Sequence, residues 1–126
     1  DDGELGCGGT IDKFAKAGAG VHYAAFSTAE SSVPQEYPSD ILKTEVRHAT
    51  GVLGIEESAL HIFNYPVRNF PAFRQQILED MRRLNTIIQP DLVFLPGTTD
   101  VHQDHQVIAA EGLRAFKLTS GRGKPP

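Results

Sequence analysis

The sequence is poor in the features that mark several large classes of protein. It contains a single cysteine, Cys7, and no apolar run close to the roughly 20 residues that a helix needs to cross a bilayer. One cysteine excludes an internal disulfide bond and favours a reducing compartment. The basic residues are scattered and the formal net charge is −4, which argues against a nucleic-acid groove or a membrane-binding patch. We therefore expect a cytoplasmic globular protein with no nucleic-acid partner and no membrane span.

What the sequence does contain is a regular alternation of two apolar patterns. Helical spacing of apolar residues marks four segments. The clearest apolar stripe consists of Phe73, Ile77, Met81, Leu84 and Ile88. Three short apolar runs lie between the helices and predict strands over residues 21–27, 60–65 and 91–96. The alternation predicts an α/β, Rossmann-like layered fold with a mainly parallel sheet.

The two ends of the chain lead to further expectations. The first helix opens close to residue 6 with no strand before it, although the first strand of a doubly wound sheet is usually central. We therefore expect a fragment from which the first strand and the C-terminal part are missing. In this interpretation residues 1–117 form a partial α/β domain, and residues 118–126 are a flexible tail or a remnant of cloning.

A polar, titratable segment follows the third expected strand, at the edge where ligands of such sheets bind. His102 and His105 are three residues apart, so both can face the same way at a helix start. Imidazole binds metals and titrates near neutrality, and Asp104 between the two would fix the tautomer of one ring. Asp100 is either a substrate contact or a plain helix cap. The alternative for the whole segment is a capped helix start with solvated histidines.

Two adjacent aspartates, Asp1 and Asp2, open the chain ahead of the glycine-rich residues 6–9. Like charges side by side repel unless a cation lies between them, so this pair is a candidate metal site, although the dipeptide alone is more typical of an acidic surface turn. The glycines keep open the alternative of a non-catalytic nucleotide-binding module, but they do not match the spaced glycines of a dinucleotide fingerprint. Cys7 is interpreted as a small packed residue.

Together these motifs resemble the LmbE-like or PIG-L family of zinc-dependent N-acetylglucosaminyl deacetylases. The resemblance is carried by DDGELGCGGT near the start, LGI after the second helix and DLVFLP with DVHQDHQ near the end, in the family's order. It implies a hydrolase that removes the acetyl group from an N-acetylglucosamine-type sugar by zinc-activated water. The carrier of the sugar, the physiological metal and the oligomeric state stay open.

The resemblance also implies roles for individual residues. Asp1 falls on the general base, and Asp2 and His105 fall on zinc ligands. A third ligand, a histidine, would lie two residues before Asp1, outside this chain. His102 falls on the histidine that stabilises the tetrahedral intermediate, and Asp104 on the acid that orients it. With only two of three ligands, the chain by itself is expected to bind zinc weakly and to be inactive.

Two departures from the family pattern concern the substrate contacts. Gly3 stands where many members have glutamate, and Leu42 stands where a family arginine is expected. Arg68 is our candidate replacement for that arginine, with a solvated surface arginine as the equal alternative. A metal-dependent phosphohydrolase with a His-Asp pair is a further possibility, although such folds usually supply more histidines from several helices.

Overall fold

A computed structural model describes residues 2–117 of the chain. The chain divides after Val67 into two compact units, one of residues 1–67 and one of residues 68–126. The expected tail at 118–126 lies outside the described residues, as does Asp1. No helix within residues 2–117 is long and apolar enough to cross a membrane.

The first unit alternates helices with two short strands. Its main elements are α1 (Asp2–Lys16), β1 (Tyr23–Ala25), α2 (Ile41–Val52) and β2 (Leu60–Ile62). The two strands pair in parallel, with Ala24 opposite His61. The sequence predicted strands at both places in a parallel sheet, and this is confirmed, with each strand shorter than expected.

Glycines end both helices of this unit, as the sequence predicted. Gly18 and Gly54 have φ values of 85° and 82°, a left-handed conformation that glycine adopts without the steric cost of a Cβ atom. The N–H of Gly54 donates to the carbonyl of Gly51 at 3.1 Å, which satisfies an end carbonyl of α2. The start of α1 is different from the prediction, because the helix begins at Asp2 and bends at Cys7, whose φ is −144°.

Aromatic rings line one face of the two-stranded sheet. Phe26 stacks on Phe63 with ring centroids 4.9 Å apart. The rings of His22 and His61 are inclined by only 14°, and His22 Nδ1 lies 3.0 Å from His61 Nε2. Burial, and then the neighbouring His22, lowers the pKa of His61 below its ordinary value of 6.5. The folded protein therefore favours the uncharged form of this ring.

The stability of the protein is expected to fall under mildly acidic conditions because of His61. Above neutral pH the ring is uncharged in both the folded and the unfolded chain; as the pH falls through 6.5, the unfolded chain takes up the proton first, and the free energy of unfolding decreases. Urea denaturation at about pH 7.5 and about pH 5.5 measures this difference. His61→Gln should reduce the difference, whereas an equal pH dependence in the variant and the parent protein would contradict it.

The second unit is built on two packed helices, α3 (Arg74–Ile88) and α4 (Gln103–Phe116). Ile77, Met81 and Leu84 of α3 are buried, as the predicted apolar stripe requires. Val107 and Ala115 of α4 are buried in the same unit. Each fully buried isoleucine or methionine side chain contributes about 1.5–3 kcal/mol, so this stripe is a substantial source of stability in the unit.

A charged side chain is buried in this second unit. Glu111 of α4 has no solvent exposure, and its carboxylate accepts a hydrogen bond from Arg74 Nη1 of α3 at 2.9 Å. Arg114 donates to the same carboxylate from one turn further along α4. A buried carboxylate is tolerated when it is paired in this way. The two arginines are half exposed, so their own charges stay hydrated.

The prediction of a strand at residues 91–96 was wrong. Within the described residues this segment forms no strand, and it leads from α3 towards α4 as an irregular stretch. Leu95 packs so closely on α4 that a Cβ atom at Gly112 would lie 2.5 Å from its Cδ2, whereas Leu92 and Phe94 are 59% and 55% exposed. An apolar run predicts burial, and a strand also requires a hydrogen-bonding partner, which the run itself does not specify.

Candidate active site

The start of α4 organises the histidine-rich segment. The chain turns after Pro96, where the N–H of Asp100 donates to the carbonyl of Gly97 at 3.2 Å. His102 is the N-terminal cap of α4: it has extended backbone angles, and its Nδ1 accepts the N–H of Asp104 at 3.1 Å. The helix cap is therefore an imidazole. Asp100, for which a plain cap was the alternative, lies two residues further back.

Asp100 bridges the loop and the helix through both oxygens of its carboxylate. Oδ1 accepts the backbone N–H of His102 at 2.9 Å, and Oδ2 lies 2.8 Å from Nδ1 of His105. The side chain of Gln106, on α4, donates to the backbone carbonyl of Asp100 at 2.9 Å and holds the loop against the helix. The hydrogen bond from His102, followed by that from His105, lowers the pKa of Asp100, so its carboxylate is ionised at neutral pH.

The two imidazoles are in contact with each other. Their ring centroids are 4.4 Å apart and the planes are inclined by 18°, as expected for residues three apart on a helix. His102 is exposed and His105 is half-buried. The sequence prediction that both rings face the same way at a helix start describes the observed arrangement.

Asp104 is directed away from the imidazoles. Its side chain is 4% exposed, and its carboxylate accepts the backbone N–H groups of Arg68 and Phe70. The family resemblance implied that this acid orients His102. In the structure the hydrogen bond between the two residues runs through the backbone N–H of Asp104, and the carboxylate holds the segment that precedes α3.

Arg68 is brought to this segment by its backbone. It has a φ of 69°, which is uncommon for a residue with a Cβ atom. Asp104 binds its N–H, and Gln103 Nε2 donates to its carbonyl at 3.5 Å. The side chain is exposed, and Arg68 is bonded to this segment through its backbone, at Asp104 and Gln103.

The acidic motif lies in the first unit. Asp2 is exposed in the first turn of α1, and Asp1 lies outside the described residues. Tyr23 packs against Gly3 so closely that a Cβ atom there would collide with the tyrosine hydroxyl. A side chain at position 3, such as the glutamate of many family members, would require the ring of this tyrosine to shift.

The glycine-rich residues 6–9 are part of α1 itself. Their backbone is helical except at Cys7, where α1 bends, so they do not form an open loop ahead of a helix of the kind that a nucleotide phosphate would require. The thiol of Cys7 donates to the carbonyl of Gly3 at 3.2 Å, and burial, followed by Glu4, raises its pKa. Both observations favour a packed cysteine over a nucleophile.

Among the described residues, His105 has the donor chemistry of a ligand to a divalent cation. A carboxylate on one imidazole nitrogen is the usual outer partner of a metal-binding histidine. Within residues 2–117, however, no group of three or more histidine, cysteine, aspartate or glutamate side chains is placed to hold a metal ion.

Comparison with known proteins places the chain in a family. The sequence model of the family described as PIG-L, GlcNAc-PI de-N-acetylase, matches residues 1–116. The chain belongs to this family. The resemblance inferred from the PIG-L motifs is thus confirmed. No curated protein matches the sequence.

Two solved structures share the fold of this PIG-L family member. One is an N,N'-diacetylchitobiose deacetylase from Pyrococcus horikoshii, complexed with its inhibitor MPG, with a TM-score of 0.77 and 24% sequence identity. The match covers 91% of this chain and 45% of the deacetylase chain. The other is the conserved protein TT1542 from Thermus thermophilus, with a TM-score of 0.71 and 27% sequence identity. This match covers 91% of this chain and 50% of the TT1542 chain. The chain therefore spans about half the length of these two proteins, and its predicted fold class is confirmed.

Sequence reasoning missed some polar residues that the structure singles out. Gln106 holds the loop that carries Asp100, and Gln103 donates to the carbonyl of Arg68, but glutamine at a helix start carries no distinctive signal. An open cleft of about 330 Å³ follows the two strands of the first unit. It is lined by Ser27, Glu30, Ser31, Asn64, Tyr65, Pro66 and Val67.

Proposed function

We propose that the protein is a metal-dependent hydrolase that removes the acetyl group from an N-acetylglucosamine-type sugar. The observation that carries this proposal is the PIG-L match over residues 1–116, because it includes both the acidic and the histidine motif. The likeness to a diacetylchitobiose deacetylase supports the same class of substrate. The glycines within α1 count against the alternative of a nucleotide-binding module.

The proposed metal ligands are Asp2 and His105, with a third histidine upstream of Asp1 as the family resemblance implies. His105 would bind through Nε2, since its Nδ1 is bonded to Asp100. Zinc is the proposed cation, because it combines imidazole and carboxylate ligands with an open position in catalytic sites. When bound, it would supply Lewis acidity towards the amide carbonyl and lower the pKa of water towards about 7.

The residues of the chain would handle protons and charge. Asp1 is the proposed general base that takes a proton from the attacking water. His102 would donate a hydrogen bond from Nε2 to the oxygen on which negative charge develops, an interaction commonly worth about 2.7–4 kcal/mol. The proton for the departing sugar amine would pass through Asp1 or His102. Arg68 is the residue proposed to contact substrate, whereas both carboxylate oxygens of Asp100 are engaged within the chain. Residues 1–117 are proposed to be part of the deacetylase-like domain.

The test is acetate release by the full-length protein from N-acetylglucosamine glycosides. We expect release from the zinc-loaded protein, none after chelation, and recovery when zinc is restored. A zinc-loaded protein that releases no acetate from any glycoside would contradict the proposal. Phosphate release without acetate release would favour a phosphohydrolase, and thermal stabilisation by a dinucleotide but not by zinc would favour a nucleotide-binding module. A cytoplasmic location is proposed with this activity.

A further inference from the structure

The two stacked imidazoles at the start of α4 use the same ring atom in opposite ways. Nδ1 of His105 lies 2.8 Å from a carboxylate oxygen of Asp100, which only accepts hydrogen bonds when ionised, so this nitrogen carries the proton. Nδ1 of His102 accepts the backbone N–H of Asp104, so this nitrogen carries none. A neutral imidazole carries one N–H proton. That proton must then lie on Nε2 in His102, whereas Nε2 of His105 carries none.

We infer that Asp100 is a positioning residue that fixes His105 as the Nδ1–H tautomer, while the start of α4 fixes His102 as the Nε2–H tautomer. The two neighbouring rings thereby present one lone pair and one N–H group. The consequence for catalysis rests on the proposed function. In that function the lone pair of His105 is the metal ligand, and the N–H of His102 is the donor to the substrate oxygen. Each ring has the protonation pattern that its task requires.

Asp100 is a carboxylate of the second unit that is placed for this task. The carboxylate of Asp104, which the resemblance assigned to histidine orientation, is committed to the N–H groups of Arg68 and Phe70. Asp100 is itself held in place by the N–H of His102 on its other oxygen. Both of its oxygens are therefore engaged within the chain, which favours a positioning role over the direct substrate contact that the sequence suggested.

The inference can be tested with Asp100→Asn, because asparagine has one accepting oxygen and one donating amide group. The backbone N–H of His102 can only donate, so it should keep an oxygen as its acceptor, namely the amide oxygen of the variant side chain. The amide group would then face Nδ1 of His105, which can accept only by moving its proton to Nε2. We expect His105 to change tautomer in this variant while His102 keeps its own.

The measurement is the nitrogen and proton NMR spectrum of the imidazole rings at about pH 8, where ordinary histidines are neutral. Asp91→Asn, an exposed aspartate of the same unit, is the matched control and should leave both tautomers unchanged. Asp100→Ala is a second variant, in which His105 should populate both tautomers. An Nε2–H tautomer for His105 in the parent protein, or an unchanged tautomer in both Asp100 variants, would overturn the inference.

Zinc affinity of the full-length protein provides an independent readout, measured by competition with a chromophoric chelator. Loss of an outer-shell partner typically weakens metal binding about 10–100-fold, and we expect this for Asp100→Asn but not for Asp91→Asn. If the parent protein has the inferred tautomers but binds no zinc, the proposed function fails and the inference stands. If the parent protein binds zinc and releases acetate, while Asp100→Asn keeps its tautomer and affinity, the inference fails and the function stands.

Discussion

Replacement of Asp104 by alanine is expected to lower the free energy of unfolding by about 2–4 kcal/mol. The change removes the acceptor of two backbone N–H groups, those of Arg68 and Phe70, and each unsatisfied buried donor costs about 1–3 kcal/mol. The loss should be large because Asp104 is only 4% exposed, so water does not readily replace the carboxylate. Chemical denaturation of the parent and variant proteins measures the difference.

Two further variants sharpen this expectation. Asp104→Asn retains one oxygen and should lose about half as much stability as the alanine variant. Asp91→Ala removes an exposed carboxylate from the same unit and should stay within about 0.5 kcal/mol of the parent protein. If Asp104→Ala has parental stability but has lost activity, the carboxylate acts directly on the chemistry and the structural role assigned to it is wrong.

The helices could be predicted because their signals are local. The stripe that includes Ile77, Met81 and Leu84 repeats at helical spacing, and burial of one helix face requires that repeat. Gly18 and Gly54 mark helix ends because few other residues adopt positive φ without strain. In both cases the physical cause lies within a few residues of its effect.

The irregular segment 91–96 shows where local patterns stop being sufficient. Its apolar residues predicted a strand covered on both faces, but strand formation depends on hydrogen bonds to another part of the chain. In the structure Leu95 is accommodated by the absence of a side chain at Gly112, seventeen positions later, in a contact that no periodicity encodes. The start of α1 shows the opposite error, since the sequence predicted a helix that opens close to residue 6 and the helix begins at Asp2.

The relative arrangement of the two histidines was predictable from the sequence, whereas the hydrogen-bond partners of the polar residues around them were not. The spacing of His102 and His105 at a helix start predicted two rings on one side, and they are stacked there. The partner of each polar group was not predictable, because it depends on the path of distant backbone. Asp104 binds a segment more than 30 positions earlier, and an oxygen of Asp100 lies against Nδ1 of His105.

Replacement of His105 and replacement of His102 are expected to reduce activity in different ways. His105→Ala should lose bound zinc and acetate release together, since it removes a proposed ligand. His102→Ala should keep its zinc and lose about 10²–10³-fold in kcat, because it removes one hydrogen-bond donor to the developing negative charge. Zinc content and steady-state kinetics of the full-length variants distinguish the two effects.

His48→Ala is the control for both variants, because His48 is an exposed histidine of α2 with no proposed role. It should retain the zinc content and kcat of the parent protein. Loss of zinc in His102→Ala, together with full zinc content in His105→Ala, would show that the roles of the two rings are the reverse of those proposed. That result would also refute the tautomers inferred for them.

The most direct test of the account is the position of the metal in crystals of the full-length protein grown with zinc. An anomalous-difference map at the zinc edge should show one peak about 2.0–2.1 Å from Nε2 of His105, with a carboxylate oxygen of Asp2 at about 2.0–2.2 Å in the same coordination shell. A zinc ion bound through Nδ1 of His105, or one bound by neither residue, would contradict the central claim.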